Sequence, residues 1–301
     1  MSAPDSLKSI LYAFFANLAI ALAKGVAALF TGSAAMLAET VHSLADCGNQ
    51  LLLVLGLKQT RQAPTDDHPL GFGKSIYFWS FLVAVILFSI GGMFSVYEGY
   101  HKLSHPSPLS FPWVALGVLL FAIVAESVSL WGCMREVNKE RYGRNLLRWF
   151  RESRNSALIV VFGEDVAALA GLVLAFMAIG LTLLTGNPVW DAIGTLCIGA
   201  LLIAVAFFVA IEVKALLIGQ SADPLMLRQM RQFLAERPEV EQVYSLLTLH
   251  FGPDVMAAIK ARMAPQDSDL DLVRAINTVE AAFRARFDSV RWLFFEPDLE
   301  D

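Results

Sequence analysis

The sequence predicts an all-α membrane domain of six helices, residues 1–218, followed by a small α+β domain on the cytoplasmic side, residues 219–301. Three observations predict it. The 301-residue chain is 56% hydrophobic and only 17% charged, with a mean hydropathy of +0.56, far from a soluble average. Six windows are apolar enough, and long enough as helix, to cross about 30 Å of hydrocarbon. From Ser221 onward the composition becomes that of a water-exposed domain.

The windows run approximately over 9–30, 35–57, 76–100, 112–134, 157–184 and 191–217. Lys and Arg mark cytoplasmic loops. The link after the second window carries Lys58, Arg61 and Lys74, and the link after the fourth carries Arg135, Lys139, Arg141, Arg144, Arg148, Arg151 and Arg154. The other links hold almost nothing basic beyond Lys102, so both termini are expected in the cytoplasm. The first window is too long, and lacks the small-residue site, for a removable signal peptide. Without an Arg-rich amphipathic leader, a bacterial inner membrane is the expected location. The net charge of −5 comes largely from the tail, and nothing supports a nucleic-acid partner. Cys47, Cys133 and Cys197 lack paired spacing, which gives neither a disulfide framework nor a thiolate metal site.

In the tail, Asp223-Pro224 reads as a helix start just past Gly219. Residues 224–237 have helical periodicity, 240–250 and 254–263 read as strands around a Phe251-Gly252-Pro253-Asp254 turn, 268–287 is helical and 289–296 is a strand. The order α-β-β-α-β predicts three strands with helices on one face, burying Leu234, Val243, Leu247, Leu249, Ile259, Ile276, Val279, Phe283 and Leu293. So small a domain gains from packing against its own copy.

Charge inside the apolar windows needs a reason, because a carboxylate at the bilayer centre costs roughly 2.5–3.5 kcal/mol on insertion scales. His42 and Asp46 lie four apart on one helix face, with Asn49 less than a turn further on. Imidazole, carboxylate and amide oxygen form a half-shell suited to a divalent cation, with a polar helix–helix contact as the alternative. In the fifth window Glu164 and Asp165 diverge by about 100° and do not both face one ion. Asp165 is the preferred ligand, and Glu164 is assigned as its acceptor, a proton carrier or an arginine partner. Lys24, Glu39, Glu98 and Glu126 read as snorkelling or interhelical pairs. The loop Asp66-Asp67-His68-Pro69-Leu70-Gly71-Phe72-Gly73-Lys74 lacks the glycine spacing of a nucleotide cradle, and its Asp67 and His68 are secondary metal candidates at the cytoplasmic mouth.

Taken in order, His42-Ser-Leu-Ala-Asp46 with Asn49-Gln50, His68-Pro-Leu-Gly-Phe-Gly-Lys74, and Gly163-Glu-Asp-Val-Ala-Ala-Leu169 resemble the cation diffusion facilitator family, in particular its branch of zinc-transporter-9-like proteins. The resemblance covers essentially the whole chain. It implies a homodimeric, proton-coupled exporter of divalent metal with six transmembrane helices and a ferredoxin-like cytoplasmic domain. The family's transport site takes two residues four apart from each of spans two and five. His42, Asp46 and Asp165 match, while Val161 stands where the fourth ligand is usually His or Asp. That departure favours a harder or less selective site, with Glu164, Asn49 or water filling the gap. The usual companion of His68 is replaced by Phe72, and Lys260 and Phe294 stand at tail positions that carry histidine in zinc-binding relatives. His250, Glu296 and Asp298 are the remaining tail candidates, and a metal-free dimerisation domain is the expectation.

The expected function is therefore secondary active efflux of a divalent cation from the cytoplasm in exchange for protons, with zinc first and manganese, iron, cobalt or magnesium behind. The partners are metal ions, protons, the bilayer and a second copy of the chain, and no resident cofactor is expected. A relative that has lost transport and serves as a metal-binding or assembly partner is the alternative. A membrane hydrolase is disfavoured, since neither Gly-x-Gly-Asp nor His-Glu-x-x-His occurs.

Overall fold

Hydrocarbon offers no partner to a backbone N–H or C=O, so an apolar stretch that enters it must satisfy its own hydrogen bonds as helix. The computed structural model describes residues 3–300, with side chains from Phe14 onward except Ala16. The N-terminal part is helical throughout: α1 Ala3–Thr31, α2 Ala34–Thr60, α3 Ser75–Ser104, α4 Pro112–Glu140, the short α5 Leu146–Glu152, α6 Ser156–Thr185 and α7 Val189–Ile218. Among the described residues, α3, α4, α6 and α7 are long and apolar enough to cross a membrane. The apolar part of α1, Asn17–Thr31, is shorter than those four. Glu39, Thr40, His42, Ser43, Asp46, Asn49 and Gln50 lower the hydropathy of α2.

Two features depart from the expected windows. The basic link after the fourth window folds: α4 runs on to Glu140, and Asn145 caps α5 by accepting from the Arg148 N–H at 2.7 Å. Helix α5 is anchored by Trp149, which is fully buried beside Cys133 and Val137. The second departure lies in α3, whose segment Leu87–Met93 is π-helical. Gly91 and Gly92 sit in that segment and let α7 approach closely, since a Cβ on Gly92 would collide with Ile203 and the adjacent backbone. Single π turns inside α-helices mark functional places more often than not.

The tail follows the predicted order. After α8 (Pro224–Ala235), β1 (Val240–Phe251) and β2 (Asp254–Met263) pair antiparallel, then α9 (Asp269–Arg286) returns the chain so that β3 (Val290–Pro297) lies parallel to β2. Both helices cover one face of the sheet, with Met230, Leu234, Val279 and Phe283 packed on Leu246, Ile259 and Leu293. Two expectations fail: Leu247 is 70% exposed and Leu249 is only half-buried outside the core, while Leu246 takes the core position. Register irregularities between Val240 and Gln242 and between Val243 and Ser245 shift the alternation of β1, and a one-residue shift turns every later side chain to the other face.

The tail is locked to the cytoplasmic ends of the helices by polar contacts. Arg144 donates to Asp223 at 2.8 Å, to Glu152 at 3.1 Å and to the Glu140 carbonyl at 2.9 Å. Arg154 donates to the Ser221 carbonyl at 2.8 Å. The Tyr77 hydroxyl accepts from the Gly252 N–H at 2.8 Å and lies 3.0 Å from Nδ1 of His250. Burial, and after it the charge of Arg154, lower the His250 pKa to about 4. Gly252, at φ +62°, and Gly73 press backbone against backbone, so a Cβ on either would strike the other's chain. Between the helix ends and the tail lies a cavity of about 820 Å³ whose wall includes Thr60, Ser156 and His250.

Candidate cation site in the membrane

The candidate site is built on α2, and its N-terminus is fixed from α7. Buried Asp191 accepts from the Ser33 hydroxyl at 2.6 Å and from the Ala34 N–H at 2.8 Å, while Ser33 caps the helix by accepting from Met36 N–H at 3.1 Å. A carboxylate at a helix N-terminus meets both its orphan donors and its positive dipole end. Lys102 donates to the Gly32 carbonyl at 2.7 Å and holds the turn that precedes α2. The polar face of α2 is thereby held in register against its neighbours.

On that face His42 is fully buried and Asp46 is 18% exposed, with 3.5 Å between His42 Nε2 and Asp46 Oδ2. That separation is a charge contact and not a hydrogen bond. Both ring nitrogens of His42, Oδ1 of Asp46 and Oδ1 of Asn49 are buried without a hydrogen-bond partner. Unsatisfied buried polar atoms are rare and costly, at about 1–3 kcal/mol each. The π segment of α3 adjoins the imidazole: a Cβ on Gly91 would lie 3.8 Å from His42 Nδ1, an ordinary contact distance.

Across from α2 runs α6, antiparallel to it. The structure brings Glu164 and not Asp165 to α2: Asn49 donates to Glu164 Oε1 at 2.5 Å. Asp165 turns instead to α4, where the Ser129 hydroxyl lies 3.4 Å and 3.5 Å from its two carboxylate oxygens. Asp165, the expected ligand, thus sits on the α4 side of α6, and Glu164 on the α2 side. Val161, one turn before Asp165, packs both on Trp149, Cys133 and Val137 and on the cluster that includes Leu53 of α2 and Val160, so it lies between the α4 side and the α2 side of the helix. The face toward α2 carries Val160, Glu164 and Gly171. Glycines set this rotation. Gly163 lies against Val209 of α7 and Gly171 against the Glu39 carboxylate of α2, and side chains at either position would force the helices apart.

Among the described residues, no group of three or more His, Cys, Asp or Glu side chains is close enough to hold a metal. The side chains form two pairs along one seam, His42 with Asp46 and Asn49 with Glu164. The secondary candidates are not drawn in. His68 stacks on Phe72 with ring centroids 4.5 Å apart, and both it and Asp67 are exposed on a surface turn. In the tail, His250 is held by Tyr77, and Asp298 pairs with Lys260 at 3.0 Å. Hydrogen bonding from Lys260 lowers the Asp298 pKa. Charges read as weak signals matter more: Lys24 and Glu39 are fully buried on α1 and α2, and the half-buried Glu126 of α4 interacts electrostatically with Lys24, Glu39, Asp46 and Asp165. A buried lysine beside buried acids was visible as composition, but their meeting needed the fold.

Residues 10–218 match the family model described as the cation efflux transmembrane domain. Among curated relatives, the mitochondrial proton-coupled zinc antiporter SLC30A9 of Xenopus laevis is 34% identical over 272 residues, covering 85% of this chain and 49% of the relative. The human protein of the same name is 33% identical over 231 residues, 76% of this chain and 41% of the relative. The chain thus spans about half the length of these relatives or less. The magnetosome protein MamB of Magnetospirillum gryphiswaldense is 26% identical over 257 residues, 84% of this chain and 80% of the relative. Two acid-bearing helices in a membrane bundle, a matched transmembrane model over 10–218 and these relatives lead to one assignment: the chain belongs to the cation efflux family, the cation diffusion facilitators, whose members are transporters and not enzymes.

Proposed function

We propose that this chain exports a divalent metal ion from the cytoplasm in exchange for protons, with zinc first and manganese, iron or cobalt as further cargo. The observation that carries the reading is the row of unpartnered buried atoms on α2, both nitrogens of His42 and one oxygen each of Asp46 and Asn49. Imidazole nitrogens with carboxylate and amide oxygens on one buried helix face are a donor set that suits a divalent cation. Glu164, across the seam from Asn49, supplies the α6 ligand in place of the residue missing at Val161, and Asp165, next to it on α6, turns toward Ser129 of α4. The names of the relatives as zinc antiporters coupled to protons support zinc and protons.

All six long helices cross the membrane in this reading, α2 among them because its polar face is turned into the bundle. The basic loops put both termini in the cytoplasm, and the membrane is a bacterial inner membrane. The cavity at the helix ends is the cytoplasmic mouth, with Thr60 of α2 and Ser156 of α6 at its wall. Residues 219–301 form a ferredoxin-like dimerisation domain. Its uncovered sheet face carries the cross-strand row Leu247, Ala258 and Phe294, with Leu247 and Phe294 70% and 57% exposed, an apolar surface that a second copy covers.

Exchange follows from ligand chemistry, since imidazole and carboxylate bind metal only when deprotonated. Moving two charges outward against 100 mV costs about 4.6 kcal/mol, at about 2.3 kcal/mol per charge. Two returning protons cancel that electrical cost, and His42, Asp46 and Glu164 offer three protonatable positions. The test is proteoliposomes loaded with a zinc-sensitive dye under an imposed pH gradient. Gradient-driven zinc flux is expected in the wild type and a loss of at least a hundredfold in Asp46→Ala. Flux unchanged in that variant refutes the site, and flux indifferent to the gradient refutes the exchange.

A further inference from the structure

Lys24 is a fully buried ammonium in a chain proposed to pass cations, and its place is specific. Its Nζ donates to Ser43 Oγ at 2.7 Å and lies 3.4 Å from Glu39 Oε2, while Oε1 of Glu39 is buried without a hydrogen-bond partner. Glu39 and Ser43 flank His42 on α2. The Glu39 carboxylate lies on Gly171 of α6, and Asn49 reaches Glu164 of the same helix. Because α2 and α6 run antiparallel, His42 and Asp46 lie between these two crossings of the seam. Glu39 stands about 4.5 Å along the axis from His42, toward the end of α2 away from the tail.

We infer that Glu39 and Ser43 form a second cation position beside His42, with the Glu39 carboxylate on its outward side, which the Lys24 ammonium occupies when no divalent cation does. The inference rests on the transport reading above. A carboxylate and a hydroxyl are hard oxygen ligands of the kind that accept a partly dehydrated divalent ion. An ammonium has three donor hydrogens, and the structure records two contacts for it. A buried Lys–Glu pair is costly to desolvate, and as a helix staple it is replaceable by apolar residues. As a tethered cation it has a use, because it cancels the Glu39 charge in the empty carrier and repels the metal from the outward position once Glu39 has handed it on. Release then does not have to work against an uncompensated carboxylate.

The experiment uses the full chain in lipid nanodiscs for zinc titration and in proteoliposomes for flux, with zinc ion alone as the probe. Lys24→Gln is expected to tighten zinc binding tenfold or more and to slow flux at saturating zinc tenfold or more, because the carboxylate is left uncompensated. Glu39→Gln, which leaves the ammonium unpaired, is expected to weaken zinc binding tenfold or more. The double variant brings both readouts back to within about threefold of wild type, and Lys24→Arg keeps them there. A mere packing role predicts no tightening, so zinc affinity unchanged or weakened in Lys24→Gln overturns the inference. If Lys24→Gln does not fold, Glu39→Gln decides: affinity unchanged there overturns it. A wild-type chain with no zinc site that His42→Ala removes overturns the transport reading and this inference together. A His42-dependent site indifferent to Lys24 and Glu39 overturns the inference alone.

Discussion

The two most polar buried regions of this chain treat their polar atoms in opposite ways. At the junction between helices and tail, Arg144 spreads its donors over Asp223, Glu152 and two main-chain carbonyls, and Tyr77 bridges Gly252 and His250. On α2, five side-chain atoms between Glu39 and Asn49 are buried without partners, and elsewhere among the described residues only Trp149 Nε1 is left so. A satisfied network stiffens a joint, whereas buried imidazole and carboxylate atoms without protein partners form a donor set that suits a cation. The difference assigns structure to the first region and cargo to the second, although both are equally rich in charge.

The comparison sharpens most on α6, where neighbouring acids fall on opposite sides of it. Glu164→Gln is expected to cut zinc flux at least a hundredfold, and Asp165→Asn less than about fivefold, since only Glu164 faces α2. Side-by-side flux in proteoliposomes reads this, and the reverse order would move the site to the α4 side of α6. A smaller effect, of a different kind, belongs to the junction. Arg144→Ala should lower stability by about 1–3 kcal/mol by removing the Arg144 donor from Asp223 and leaving Glu152 to Arg148 alone, while zinc affinity stays within about threefold. Thermal unfolding in detergent with and without zinc separates the two.

The smallest effect is a pH dependence at His250. Its folded pKa, about 4, lies below the unfolded value of about 6.5, so between those values the unfolded chain binds more protons. The contribution is fully present above about pH 6.5 and is lost as pH falls toward 4. The midpoint of thermal unfolding should therefore drop over that window, and His250→Gln should flatten the drop. A wild-type and variant curve that stay parallel would remove His250 from the joint.

Much of this architecture was legible in the residues because hydrocarbon and water sort them with large energies. The apolar windows became helices, Asp223-Pro224 did start α8, and the tail kept its order of two helices and three strands. His42 and Asp46 shared a face because four residues nearly complete a helical turn. The errors came where small energies or distant neighbours decide. Leu246 displaced Leu247 from the core because irregularities in β1 moved its register against β2. The π turn at Leu87–Met93 adjoins His42 and was announced only by Gly91 and Gly92.

The sequence by itself determined that this is an integral membrane protein with acids and a histidine held in apolar helices, because the cost of burying charge demands a compensating purpose wherever it occurs. It could not determine which acid of the Glu164-Asp165 pair turns inward, nor that Lys24 meets Glu39. Those outcomes depend on how far α6 rotates and how near α1 comes to α2. Such angles are settled by glycine contacts and side-chain volumes on several helices at once, and tertiary packing is where they are all satisfied together.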